Sequence, residues 1–171
     1  MLAYSRLTHF KRDYLQNTFY NNNNNNKEDQ NNLGNVIKLE VDNYMKKMNK
    51  SIDIYNMHKL LKKLRCPSNM LHYFYYKFTD NNPPMFTKII EDKLILLYDQ
   101  VLTAHNILYP RTSYLSNSYI VYKLLHMLDL DEVTLTSFLN IIPIDLNNKL
   151  KLEYQNEKWT AICNKNNWKI I

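Results

Sequence analysis

The chain contains a single glycine, Gly34, among its 171 residues. Tight hairpin turns and phosphate-binding loops need glycine, because it adopts positive φ angles without steric cost. A chain with one glycine is therefore poorly suited to a sheet dense in tight turns or to a glycine-rich nucleotide loop. Hydrophobic residues make up 45% of the sequence, which is ample for a buried core. These features predict a mainly α fold, a compact multi-helix domain with at most a minor extended segment near the C-terminus.

Apolar residues recur at helical spacing along most of the chain, and capping residues or prolines interrupt them. Two predicted helices cover residues 2–19 and 34–49. The others begin near their candidate caps: Ser51 or Asp53, Ser68, Thr87, one of Ser116, Asn117 and Ser118, and Asp131 or Thr134; the last begins at Glu157. We expect the helices on either side of Pro110 to pack as an antiparallel pair, because their connection is short. Residues 149–154 alternate between polar and apolar types and are predicted to be extended.

An asparagine-rich tract follows the first predicted helix. Residues 21–33 contain almost no apolar side chain that could offset the entropy lost on ordering. We therefore predict three parts: an N-terminal helix at 1–20, a disordered insertion at 21–33, and a helical domain at 34–171.

The basic character of the sequence is local. Residues 38–65 hold eight lysines or arginines and three acids, so this segment carries +5 of the net charge of +6. Phosphate contacts need cations on one surface, which makes the segment a candidate nucleic-acid-binding region. The alternative is that these lysines only keep a helix face soluble. The candidate residues are Lys46, Lys47, Lys50, Lys59, Lys62, Lys63 and Arg65.

Motifs of catalysis and metal binding are missing from the sequence. It has no Cys-x-x-Cys pair, no His-Glu-x-x-His and no nucleophile elbow, and its five histidines are scattered. Cys66 and Cys163 are isolated and are expected to be small buried side chains. We expect no catalytic residue, no metal and no cofactor, and hence not an enzyme. No apolar run is long enough to cross a membrane, and we expect a soluble intracellular protein without a membrane partner.

Several stretches resemble one protein family. The main ones are Arg111 with Tyr114-Leu115-Ser116 and Tyr119-Ile120-Val121-Tyr122-Lys123-Leu124, then Trp159-Thr160-Ala161-Ile162-Cys163 with Trp168, and Tyr4-Ser5-Arg6 with His9-Phe10. Leu60-Leu61-Lys62-Lys63-Leu64 and Pro83-Pro84 fall between them in the same order as in the family. This set resembles the poxvirus late transcription factor 3 (VLTF3-like) family of nucleocytoplasmic large DNA viruses.

The resemblance implies a viral factor for late, post-replicative gene transcription, which acts with the viral RNA polymerase or other late transcription factors. It implies a location in the host cytoplasm, in the viral factory, and leaves packaging in the virion open. Two functions stay open: a factor that contacts DNA through the basic segment, and a helical protein-docking module of the viral transcription machinery or virion without direct DNA contact. The candidate partner contacts are the motif residues Arg111, Tyr119, Lys123, Trp159 and Trp168.

Structural alternatives exist for these motif residues. Trp159 and Trp168 are predicted to be core anchors that close the terminal helix onto the helix after Pro110. The head of Arg111 could pair with a carboxylate of the chain itself.

Two features depart from the family pattern. Members generally carry a cysteine-rich, zinc-ribbon-like segment ahead of this region, and this sequence cannot form one. We therefore expect either the C-terminal domain alone or a relative that has lost or separated the ribbon. Asn117 stands where the motif usually has an aromatic residue.

Overall fold

The structure is a computed structural model that describes residues 2–20 and 32–170, with side chains from Arg6 onward. Helices form the regular structure of these residues, and no strand occurs in them. This confirms the predicted mainly α fold. The α-helices are α1 (Leu2–His9), α2 (Leu33–Met48), α3 (Ile54–Lys63), α4 (Leu71–Phe78), α5 (Lys88–Leu108), α6 (Asn117–Met127), α7 (Glu132–Leu139) and α8 (Lys149–Asn166).

Shorter helical turns extend two of these elements. The π-helical turns Phe10–Tyr14 and Gln16–Tyr20 continue α1, and the 3-10 turn Ser68–Met70 precedes α4. The predicted N-terminal helix is thus present, with π geometry in its second half. Residues 21–31 of the predicted insertion lie outside the described residues.

The helices group into two compact units. The first consists of Met1–Arg12 and Phe86–Ile171, and the second of Asp13–Met85. The domain boundaries drawn from the sequence at residues 20 and 33 stay predictions.

Four helices begin at one of the residues predicted as candidate caps, namely Asp53, Thr87, Ser116 and Asp131. In each case the side-chain oxygen accepts a hydrogen bond from the amide three residues further on, at 2.7–3.3 Å. The cap predicted at Ser68 is wrong. Ser68 lies inside the 3-10 turn, whose Met70 amide bonds to the Pro67 carbonyl, and α4 begins only at Leu71.

The predicted extended segment at residues 149–154 is also wrong, because these residues form the first turns of α8. Asn148 starts the helix by accepting a hydrogen bond from the Lys151 amide at 3.2 Å. The alternation does not separate a buried from an exposed face, since Leu150 is 81% exposed. The cap and the helix-forming Lys, Leu and Glu residues outweigh a two-residue pattern of this length.

α5 is the central helix of the first unit. It packs against α1, α6 and α8, and α6 also packs against α7. The predicted pairing of α5 with α6 is therefore observed. The α5 side chains Leu94, Tyr98 and Val101 are fully or almost fully buried, and the Phe10 ring stacks on Tyr98 at 3.7 Å.

The second unit has its own core, in which α2, α3 and α4 pack against one another. Ile37 and Val41 of α2, Met57 and Leu61 of α3 and Phe74 of α4 are among its most buried side chains. Among the described residues, no helix is both long and apolar enough to cross a membrane.

Candidate functional site

The cations predicted to bind nucleic acid form one set in the second unit, which we call the basic surface: Lys46, Lys47, Lys50, Lys59, Lys62, Lys63 and Arg65. All seven side chains are exposed. Within the described ranges none of them forms an ion pair, whereas Lys38 pairs with Asp42 at 3.4 Å. The ammonium of Lys59 lies 5.5 Å from the Tyr55 ring. Exposed cations without carboxylate partners are available to phosphates.

The basic surface draws its cations from α2, α3 and the short segments that follow them. Lys46 and Lys47 lie in the last turn of α2, ahead of α3, and Lys62 and Lys63 lie in the last turn of α3. Seven cations on two helices and their following segments suit a polyanion better than a single phosphate group.

A cleft of about 240 Å³ opens beside Lys62. It is lined by His58, Leu61, Lys62, Cys66, Ser68 and Leu71. Burial raises the pKa of the Cys66 thiol to about 11, so the thiol is not ionised at neutral pH. Cys66 and Cys163 are both free and buried, as predicted.

Three of the sequence signatures meet in the first unit. The guanidinium of Arg6 lies 4.5 Å from the Tyr114 ring. Tyr119 of α6 contacts Trp159 of α8 edge to face, with ring centroids 6.3 Å apart. The Tyr119 hydroxyl donates a hydrogen bond to the side-chain oxygen of Asn156. The N-terminal, central and closing signatures are thus parts of one packed site.

The centre of this site is the Arg111 loop, residues 109–116, which joins α5 to α6. Lys158 of α8 holds this loop from inside the protein, where the lysine is only 4% exposed. Its ammonium donates to the Ser113 carbonyl at 2.7 Å and to the Thr112 hydroxyl at 3.0 Å. It also lies 5.1 Å from the Tyr109 ring and 4.8 Å from the Tyr154 ring. In the described part of the chain no carboxylate pairs with this cation, so oxygen dipoles and aromatic faces stabilise it.

The second half of the loop is fixed by polar contacts as well. Ser116 caps α6 and accepts a hydrogen bond from the Gln155 side chain at 3.4 Å. Asn117, the departure from the family motif, accepts a hydrogen bond from the Tyr98 hydroxyl at 2.6 Å. The side-chain amide of Asn117 therefore links the start of α6 to α5.

Arg111 itself is exposed. Across the residues that the structure describes, its guanidinium has no carboxylate or hydrogen-bond partner, so the intramolecular ion pair considered for it is not formed. The sequence from Gln100 to Leu128 contains no aspartate or glutamate. A planar guanidinium on a fixed loop can bind a carboxylate or a phosphate through two parallel hydrogen bonds.

His105 of α5 packs against the loop, with its ring 4.5 Å from that of Tyr114. Burial lowers the pKa of His105, and the charges of Lys158 and Arg6 lower it further, against an opposing effect of the Ser113 backbone. The imidazole is therefore neutral at neutral pH and adds no charge to the site.

The other motif residues are buried or half-buried. Tyr119 and Trp159 are each 1% exposed, and Trp168 partly covers Trp159 at a centroid distance of 6.2 Å. The ammonium of Lys123 lies 5.7 Å from the Tyr119 ring, and burial lowers the pKa of Lys123 against the opposing effect of the Cys163 thiol. A partner could reach Tyr119 and Trp159 only if the core opened. Contact with a partner stays a prediction for this set, and Arg111 is its exposed member.

The predicted role of Trp159 as a core anchor agrees with this burial. The predicted packing of the terminal helix onto the helix after Pro110 is observed only in part. α8 packs mainly along α5, and it contacts α6 through Tyr119. The length of α8 explains the difference, since the helix begins at Lys149 and can follow the long α5.

The comparison with protein families decides what these signatures mean. Residues 1–170 match the profile of the family described as Poxvirus Late Transcription Factor VLTF3 like. The chain belongs to this VLTF3-like family. The resemblance inferred from the signatures is confirmed, and it extends over almost every residue.

A relative within large DNA viruses is also similar. A protein of Acanthamoeba polyphaga mimivirus, named as a putative transcription factor, is 29% identical over 121 residues. The match covers 68% of this chain and 27% of the relative, so the chain spans about a quarter of that protein. No solved structure matches the VLTF3-like chain significantly.

The described residues of this VLTF3-like chain do not fit a zinc ribbon. Among the described side chains, no three from His, Cys, Asp or Glu lie together as metal ligands, and Cys66 and Cys163 are single. A ribbon needs four such ligands around one ion.

Sequence reasoning missed Lys158. Its signal was present, because Lys158 immediately precedes the closing signature and lies four residues before Ile162, which is fully buried. A lysine at that spacing falls on the buried face of its helix, where its ammonium needs a partner inside the protein.

Proposed function

We propose that this chain acts in viral late gene transcription, with the viral RNA polymerase as its partner, and that the basic surface contacts DNA phosphates. Membership of the VLTF3-like family supports the transcriptional role. The observation that supports DNA contact is a set of seven exposed cations in or just after α2 and α3, which form no ion pair among the described residues. The proposal includes a non-catalytic role and a location in the host cytoplasm, in the viral factory.

The chemistry of this contact would be independent of base sequence. Lysines that bind phosphates release condensed counterions, which produces affinity at low salt and a steep loss of affinity as salt rises. Such contacts position a protein on DNA without reading its bases. Promoter choice would then come from other parts of the transcription complex.

The test is the affinity of the full chain for duplex DNA at several salt concentrations. Lys59, Lys62 and Lys63 changed together to Gln should flatten the plot of log affinity against log salt by two to three units, about 0.9 for each lost contact. Lys149, Lys151 and Lys165 of α8, also exposed, form a matched control that removes the same charge from the first unit. A wild-type chain without measurable DNA affinity at low salt would rule the DNA contact out.

One observation favours the second candidate, a protein-docking module without direct DNA contact. Arg111 is exposed on a loop that buried contacts hold in place. Arg111→Ala should leave the salt dependence of DNA binding unchanged and abolish late transcription in a reconstituted assay. Circular dichroism would establish that the variant is folded.

A further inference from the structure

We propose that the Arg111 loop and the adjoining face of α8 form a docking site for an acidic amphipathic helix of a viral RNA polymerase subunit. The inference takes its partner from the proposed function but does not depend on DNA contact by the basic surface.

An exposed apolar stripe leads to the loop. It consists of Leu146, Leu150 and Tyr154, which are 56%, 81% and 51% exposed, and we call it the α8 stripe. A spacing of four residues places Leu150 and Tyr154 on one face of α8, with Leu146 just ahead of the helix. Lys158 continues the same spacing, and its ammonium lies 4.8 Å from the Tyr154 ring while bonding to the Ser113 carbonyl of the loop. The α8 stripe and the Arg111 loop are therefore continuous.

The charges beside the α8 stripe differ on its two sides. Helical geometry places Lys151 and Lys158 on one side of Tyr154 and places Glu153 and Glu157 on the other. The Arg111 loop lies on the lysine side, because the Lys158 ammonium binds it. An incoming helix would thus need apolar residues for the stripe and carboxylates on the flank that faces Arg111.

This pattern favours a protein partner over nucleic acid. Two exposed glutamates, Glu153 and Glu157, would repel a phosphate chain that lies along the stripe, and exposed leucines offer it nothing. Tyrosine and arginine are the side chains that most often dominate protein interfaces. The guanidinium of Arg111 can bind a carboxylate through two hydrogen bonds.

The loop is ordered before any partner arrives. Lys158 contacts Tyr109 and Thr112 on either side of Arg111, and Gln155 and Tyr98 bond to the start of α6, so binding would not have to order the loop. Lys158 is 4% exposed and acts as a positioning residue, since a partner would touch the loop and not the lysine.

The first test uses the full chain and the purified RNA polymerase of the virus that encodes it. A photo-crosslinking p-benzoylphenylalanine at position 154 should label a helical polymerase segment that has an apolar face and Asp or Glu along one flank of it. Arg111→Glu and Leu150→Asp should each weaken polymerase binding at least tenfold, and Lys165→Glu, on the same helix, should not. A crosslink to nucleic acid or to a basic segment would overturn the proposal, as would unchanged polymerase affinity in Arg111→Glu.

The second test concerns Lys158. Lys158→Met should weaken polymerase binding in the wild-type background and have little further effect in Arg111→Glu, because both changes remove the same contact. Full additivity of the two effects would contradict a positioning role. Duplex DNA affinity, measured on the same variants, separates the two proposals. A loss of DNA affinity on changing the basic surface bears on the proposed function alone. A loss of polymerase binding bears on the docking site alone.

Discussion

Among the described residues, the basic surface and the Arg111 loop both present cations without carboxylate partners, yet they are built in opposite ways. The basic surface has seven exposed side chains. Within the described residues, one side-chain contact is recorded for them, that of the Lys59 ammonium with the Tyr55 ring. The Arg111 loop has one exposed arginine, and buried side chains of α8 and α5 fix the backbone around it.

This difference in construction determines what each surface is suited to bind. Flexible lysines distributed along a helix attract a polyanion without fixing its position, and that attraction falls as salt rises. A guanidinium on an ordered loop favours one directed contact with a planar anionic group. Two equally exposed cations can therefore differ in function. The buried side chains that hold the backbone beneath them determine which anion each one suits.

The largest effect is expected at Trp159 of α8, the residue after Lys158. Trp159→Ala should lower the free energy of unfolding by about 3–5 kcal/mol, because Trp159 is 1% exposed and packs against Tyr119 and Trp168. A single substitution on the basic surface, Lys62→Gln, should change it by no more than about 0.5 kcal/mol. Urea denaturation of both variants measures the contrast, and a loss below about 1 kcal/mol for Trp159→Ala would mean that Trp159 is not part of the core.

The sequence predicted much of this contrast, but not its cause. Asp53, Thr87 and Ser116 could be identified as caps, because capping depends on one side chain and the amide three residues away. Lys158 could not be assigned to its loop in the same way, since its partner Ser113 is 45 residues away in the sequence. Contacts of that separation depend on how α8 packs along α5, which no local pattern encodes.

The basic surface shows the opposite situation. Its members could be predicted because they depend only on local charge excess and on the polar face of a helix. The wrong prediction that residues 149–154 are extended has a related origin. A short alternation is compatible with strand or helix, and the Asn148 cap decides in favour of helix.

The next effect is a pH dependence that belongs to the Arg111 loop. Burial lowers the pKa of His105 in the folded chain, so the unfolded chain takes up the proton first as the pH falls through about 6.5. The contribution of His105 is therefore fully present above this pH and is lost below it, by at most about 1.4 kcal/mol for each pH unit. His105→Gln should remove this part of the slope in thermal or urea unfolding between pH 7.5 and 5.5, taken as about one unit on either side of that value. An unchanged slope would mean that His105 is not buried as a neutral group.

The smallest effect sharpens the basic surface. Asp53 caps α3, with its carboxylate 2.7 Å from the Asn56 amide, and is one of three acids in the basic segment. Asp53→Ser should keep the cap, since serine caps helices about as well, and should strengthen duplex DNA binding by about 0.5 kcal/mol, or roughly twofold. The matched control is Asp131→Ser, which makes the same change at the cap of α7 in the first unit. Equal gains from both variants would show that net charge, and not position, governs the affinity.

The measurement that tests the central distinction most directly compares Lys62→Glu with Arg111→Glu in duplex DNA binding across a range of salt concentrations. Both substitutions change the net charge of +6 by the same amount, and both positions are exposed. Lys62→Glu should weaken binding at low salt and reduce the slope of log affinity against log salt by about 0.9, and Arg111→Glu should bind as the wild type does. Equal losses in the two variants would contradict the account, because they would show that the two surfaces do not differ in what they bind.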